Sequence, residues 1–292
     1  MCSVDLGDAR LELGRRTLVM GILNVTPDSF ADGGRYNVLD RAVAQAERMA
    51  EEGAGVIDIG GESSRPAGPY GEGAQAVSEE EEIRRTVPVI ETLTKRLDLP
   101  ISIDTTKAGV AQRALDAGAR IVNDISALRF DPAMASVTAG SDAAVVLMHM
   151  KGTPGTMQKN PVYDDLFGEI LAFLAERRDA AIEAGVHPGR IVVDPGFGFG
   201  KRLEHNYRLL AGLSRFHDLG CPILAGPSRK QFVAAGTGLP PSERLEGTLA
   251  ALSLCAAGGA HVLRVHDVAA GVRAVALVDA VAQGVPERQD PA

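Results

Sequence analysis

Eight short apolar runs recur along the chain, and each ends on a polar or charged residue. They are VMGILN, ending at Asn24; GVIDIGGES, at Glu62 and Ser63; PISID, at Asp104; RIVND, at Asn123 and Asp124; AVVLMH, at His149; RIVVD, at Asp194; PILAGPSRK, at Ser228, Arg229 and Lys230; and HVLRVH, at Arg264 and His266. Runs this short, rich in Val and Ile and separated by stretches with helical spacing, read as strands buried on both faces of a parallel sheet. Eight of them predict an α/β fold, a single (β/α)8 TIM barrel. In that architecture the C-terminal strand ends and the loops after them form one face, and active sites lie there. The polar endings are therefore expected to converge on one pocket.

The 292 residues suit one barrel with short extensions. Residues 1–16 form an N-terminal hairpin segment in this reading, because the alternation Ala-Arg-Leu-Glu-Leu-Gly from Ala9 predicts a strand that plugs the barrel bottom. Residues 17–283 form the barrel, and 284–292, GVPERQDPA, are polar and Pro-containing and read as a flexible tail. Leu39, Val43, Ala46, Met49 and Ala50 recur at helical spacing, and further helices are predicted over 107–117, 132–139, 165–184, 203–215, 243–257 and 268–282. Ser78 followed by Glu79 to Glu82 resembles a capped first turn whose acidic residues favour the helix dipole.

A formal net charge of −8 with no Lys/Arg-rich block excludes nucleic acid as a partner, so any anion site must be local. The three cysteines, Cys2, Cys221 and Cys255, form no CxxC pair and fit a reducing compartment. No secretory h-region and no run of ~20 apolar residues is present, which predicts a cytoplasmic chain without a membrane partner.

The chemistry is expected at the strand ends. Two stretches rich in Gly, Pro and polar residues, Thr26 to Gly34 and Glu62 to Gly73, are candidate covers that exclude water. Asp194-Pro-Gly-Phe-Gly-Phe-Gly-Lys201 puts a carboxylate ahead of three glycines that let backbone and Phe rings approach a planar ligand. Its spacing is neither a Walker A nor a G-x-G-x-x-G motif. Asp104, Asn123 and Asp194 together form an acceptor-rich floor for a flat heterocycle with several N–H donors, although each alone could cap a helix. Ser228-Arg229-Lys230 and Arg264-Val265-His266 close the last two strands with cationic groups suited to an anionic substrate or leaving group. Ion pairing with the carboxylates is the alternative. His149 has no metal-site pattern around it and is read as pocket wall.

MGILNVTPDSFADGG, GGESSRP, SIDTTKA, VNDIS, LMHMKG, DPGFGFGK, GPSRKQF and RVHDV follow one another over residues 17–282. In these motifs the chain resembles the dihydropteroate synthase family, whose members join a dihydropterin diphosphate to p-aminobenzoate and release pyrophosphate. The resemblance implies that Asp104, Asn123, Met148, Asp194, Lys230 and Arg264 bind the pterin. It places Phe30, Ser64, Arg65, Pro66, Phe199 and Lys230 around p-aminobenzoate, and Asn24, Arg264 and His266 at the diphosphate. Asn24 would be the protein ligand of a Mg2+ ion arriving with that group. Asp32, Lys230, Arg264 and His266 would stand closest to the chemistry. It further implies sulfonamide competition and a homodimer formed through residues 249–257 and 269–282. Ser64 stands where Thr is usual, Thr106 where Tyr is frequent and Gln231 where Ser or Arg is common. The segment after Pro66 is long, and is expected to alter sulfonamide affinity more than substrate affinity. Two alternatives are a pterin-dependent methyltransferase, which would not use the Ser-Arg-Lys and Arg-Val-His cluster, and a non-catalytic pterin-binding paralogue. A paralogue is expected to lose Asn24, Asp32, Arg65 or Lys230, all of which are present.

Overall fold

The structure, a computed structural model, describes residues 2–26, 35–63 and 76–283. It opens with an antiparallel hairpin of β1 (Cys2–Asp5) and β2 (Arg10–Leu13), paired from Cys2↔Leu13 to Asp5↔Arg10. Strands and helices then alternate: β3 (Leu18–Asn24), α1 (Arg35–Glu51), β4 (Val56–Gly60), α2 (Glu79–Leu93), β5 (Ile101–Asp104), α3 (Ala108–Asp116), β6 (Ile121–Asp124) and α4 (Met134–Ala139). The second half continues with β7 (Ala144–Met148), α5 (Leu166–Glu183), β8 (Ile191–Asp194), α6 (Leu203–Ala211), β9 (Leu224–Ala225), α7 (Leu245–Ala257), β10 (Val262–Val265) and α8 (Val268–Gln283). The last eight strands pair in parallel in the order β8-β7-β6-β5-β4-β3-β10-β9, and a bridge between Val193 and Ile223 closes the ring. This is the predicted (β/α)8 barrel.

Alternation along each strand divides the core in two. Val19, Leu23, Ile57, Ile59, Val122, Val145, Leu147 and Leu263 pack outward with helix residues such as Ala46, Ile90, Ala111 and Leu252. The opposite set, Met20, Val56, Ile121, Ala144, Val146, Val192, Leu224 and Val262, fills the barrel interior against Val4, Leu6 and Leu13 of the hairpin. The hairpin thus plugs the barrel bottom, as its alternation predicts.

The predicted helix over 203–215 stops at Ala211, and a 3-10 turn over Leu213–Leu219 follows. Gly212 marks the break. A Cβ there would lie 2.5 Å from the Phe167 ring, so α6 can reach α5 only through a residue without a side chain. Ser78 does cap α2, accepting from the Glu81 N–H at 3.2 Å. Among the described residues no helix is long and apolar enough to cross a membrane. The expected tail, 284–292, lies outside the described residues.

Candidate active site

Above the apolar layer the same strands turn polar. Two residues beyond Val56, Ile121, Val192 and Val262 stand Asp58, Asn123, Asp194 and Arg264, one inward step further toward the strand C-termini. Charges buried there demand partners, and they find one another. Arg264 Nε donates to Asp58 Oδ2 at 2.6 Å and Nη2 to Asp104 Oδ2 at 2.6 Å, while Asn123 Nδ2 donates to Asp58 Oδ2 at 3.0 Å. Burial pushes Asp104 up to about 7, against the downward pull of Arg264. For Arg264 burial opposes the charge, but Asp58 and Asp104 outweigh it and raise its pKa. Ion pairing, the alternative for the strand-end cations, is therefore the state of Arg264.

Across the barrel, Asp194 is buried and accepts from the Gly196 N–H at 2.6 Å. Burial raises its carboxyl pKa, with Lys230 pulling the other way. Lys230 is in turn drawn down to about 8 by burial. Its Nζ donates to the Phe197 carbonyl and stands 4.4 Å from the centroid of the Phe199 ring. Met148 packs with Ile125, Met150 and Met157, and Phe199 lies against the same cluster. One wall is thus apolar and the floor is a set of carboxylates and an amide.

Gly196 and Gly200 have φ of +73° and +65°, and a Cβ on them would lie 2.0 Å from the His149 carbonyl oxygen and 2.5 Å from that of Lys151. The glycines therefore let the loop after β8 rest directly on the segment after β7. His149, read as pocket wall, is buried beneath that loop.

His266 differs from expectation. Burial, reinforced by Arg264 and Arg229, lowers its pKa to about 3, so it is neutral and not a cation. Ser228 Oγ accepts from the His266 backbone N–H at 3.2 Å and lies 2.9 Å from Nδ1. With the hydroxyl proton donated to Nδ1, the ring proton sits on Nε2 and is available to an anion. Arg229 is also withdrawn from the expected cationic group, because its Nε and Nη2 hold Asp267 at 3.0 and 2.5 Å. Asn24 ends β3, with Oδ1 3.7 Å from where a Cβ on Gly60 would be; that missing side chain leaves open the space between Asn24 and Asp104. Among the described residues no three His, Cys, Asp or Glu gather as a metal site. Asp32, Phe30, Ser64, Arg65 and Pro66 lie outside the described residues.

Comparison with known proteins extends these observations. Residues 20–266 match the family model described as "Pterin binding enzyme". The chain is 48% identical over 279 residues to the dihydropteroate synthase of Synechocystis sp., covering 95% of this chain and 94% of the relative. The chain belongs to the dihydropteroate synthase family. Among solved structures, Yersinia pestis dihydropteroate synthase with a sulfonamide drug complex superposes with a TM-score of 0.89 at 44% identity, covering 97% of this chain and all of that one. Xanthomonas albilineans dihydropteroate synthase with 4-aminobenzoic acid gives 0.87 at 48% identity, covering 97% and 99%.

Three buried side chains carry no site role in the sequence reading. Asp58 lies two residues before the end of β4, where attention to strand ends passes over it; its place on the inward face after Val56 is the signal that finds it. Glu82, within the acidic first turn of α2, is 1% exposed and, with Glu62, holds Lys107 Nζ. Lys201, at the end of the glycine-rich stretch, is 3% exposed. Its Nζ lies 2.9 Å from His149 Nδ1 and 3.1 Å from the Phe199 carbonyl, tying the loop to the segment after β7. Burial lowers the pKa of Lys201 and of His149 well below their usual values, although Asp194 acts on Lys201 in the opposite sense.

Proposed function

We propose that the barrel condenses 6-hydroxymethyl-7,8-dihydropterin diphosphate with p-aminobenzoate to give 7,8-dihydropteroate and pyrophosphate. The observation that carries this reading is the ring of half-buried Asp104 and buried Asn123 and Asp194 around Arg264 and Lys230 at one end of a closed barrel. Carboxylates accept from the amine and ring N–H groups of a pterin edge, and Lys230 donates to its carbonyl or ring nitrogen. The hydrogen bonds of Arg264 to Asp58 and Asp104 lie in the guanidinium plane, which leaves its faces to stack on the ring. Met148 lines the same pocket.

In the reaction the bond between the exocyclic methylene and the diphosphate oxygen breaks, and its electron pair leaves with pyrophosphate. The p-aminobenzoate nitrogen then bonds to the methylene and loses a proton to solvent. No side-chain nucleophile is needed, so the chain contributes positioning and stabilisation of the leaving anion. Arg264, through its charge, and His266, through Nε2–H, face that anion. Phe199 and Lys230 hold the aromatic acid, with Phe30, Ser64, Arg65 and Pro66 assigned to the same subsite and Asp32 near the methylene. A Mg2+ ion fits as a passenger of the diphosphate, since a metal ligated mostly by phosphate oxygens and water needs little more than the single amide oxygen of Asn24. Bound there it would neutralise charge on the leaving group.

The reading carries a cytoplasmic setting, which the free thiols of Cys2, Cys221 and Cys255 suit. It also carries a homodimer through α7 and α8, where Leu254, Leu277 and Val281 are 54%, 69% and 79% exposed. Purified protein given the pterin diphosphate and Mg2+ should release pyrophosphate only when p-aminobenzoate is present, in equal amount to dihydropteroate. Pterin binding without coupled product would move the assignment to a non-catalytic pterin-binding protein.

A further inference from the structure

Asp58 is fully buried on β4 and reaches no solvent. One of its oxygens, Oδ2, accepts from two of the proposed pterin-site residues at once, Asn123 Nδ2 at 3.0 Å and Arg264 Nε at 2.6 Å. A carboxylate can accept but not donate to these groups. Asn123 must therefore turn its amide nitrogen toward Asp58, and its carbonyl oxygen is aimed away from it. Arg264 is constrained in the same way: with Nε on Asp58 and Nη2 on Asp104, the guanidinium plane is held by carboxylates from two adjacent strands.

Among the described residues the other oxygen, Asp58 Oδ1, has no hydrogen-bond partner, and neither has Ser102 Oγ, which belongs to the residue paired with Asp58 in the register of β4 and β5. Both atoms are buried in the barrel interior, directly above the apolar layer of Val56 and Ile121. A carboxylate left half-satisfied in such a place costs stability. Packing alone gives no reason for it, since an apolar residue would continue the layer below. The two hydrogen bonds of Oδ2 are the reason.

We propose that Asp58 is a positioning residue for the pterin site: it fixes the amide orientation of Asn123 and the plane of Arg264, and so sets the donor and acceptor pattern that the heterocycle meets. It touches no reacting atom. This rests on the function proposed above and names a further residue for it. Asp58→Asn keeps shape and volume but offers the site a neutral amide.

The test is calorimetric binding of 6-hydroxymethyl-7,8-dihydropterin diphosphate with Mg2+, without p-aminobenzoate. Asp58→Asn should weaken binding tenfold or more, while the KM for p-aminobenzoate at saturating pterin stays within about twofold. In an Asn123→Ala, Arg264→Gln background the same change should cost less than threefold, because the groups through which Asp58 acts are gone. A purely structural role would lower thermal stability and leave affinity per folded molecule as in the parent. Unchanged affinity, or a full effect persisting in the double-variant background, would overturn the proposal. Asp58→Ser, which keeps a small acceptor, is measured in the same way if the amide prevents folding. Failure of the parent protein to bind the pterin diphosphate at all would instead strike the proposed function.

Discussion

At the hairpin end the barrel interior is filled by Val56, Ile121, Val192 and Val262; one inward step along the same four strands brings Asp58, Asn123, Asp194 and Arg264. The backbone is the same in both layers, and the inward direction is the same. The lower layer needs nothing beyond close packing against Val4, Leu6 and Leu13. The upper layer needs every charge answered by another, and Asp58 Oδ1 shows that even then the accounts do not fully close. The difference teaches that one end of the barrel supplies stability and the other spends part of it on a preorganised polar site.

The comparison predicts separable effects. The largest is at the bottom: Leu13→Ala should destabilise the fold by about 2–5 kcal/mol in urea titration, with turnover per folded molecule within twofold of the parent. A parallel loss of turnover would mean that the two layers are coupled. At the top, Asp194→Asn and Lys230→Ala should each cost about 2–4 kcal/mol of transition-state stabilisation, about 30- to 1000-fold in kcat/KM, with little loss of melting temperature. Unchanged turnover and pterin affinity in either variant would remove that residue from the site.

A smaller effect should come from Lys201→Met, which cuts the tie between the glycine-rich loop and His149. Because that loop carries Phe199, the KM for p-aminobenzoate should rise about tenfold while pterin affinity moves less than twofold. Equal losses in both would show that the loop serves the whole site. The smallest is a pH effect. The pKa of His266 lies lower in the folded than in the unfolded chain, so as pH falls the unfolded chain takes up the proton first. The contribution of this residue to stability is fully present above about pH 6.5 and is lost as pH falls toward about 3. The stability difference between the parent and His266→Asn should therefore shift against the parent over that window; a difference independent of pH would show that the histidine is not held neutral by burial.

Much of the upper layer was legible. Asp104, Asn123, Asp194 and Arg264 stand out because a polar residue closing an apolar strand is costly without a purpose. Asp58 was not, because it sits inside its run, flanked by Ile57 and Ile59, where only the inward alternation distinguishes it. His266 and Arg229 were legible as residues but not as charges: one is neutralised by burial and the other is committed to Asp267. The break at Gly212 was also hidden, because the helical spacing continues through it and only the approach of Phe167 requires it.

The sequence by itself determined the eight strands, their order and the end at which polar groups gather, since these follow from periodicity and from local chain chemistry. Only the tertiary structure decided which polar group answers which. Arg264 meets Asp58 across 206 positions of sequence and Asp104 across 160. Closing the barrel makes them neighbours, and burial then sets which of them carry charge.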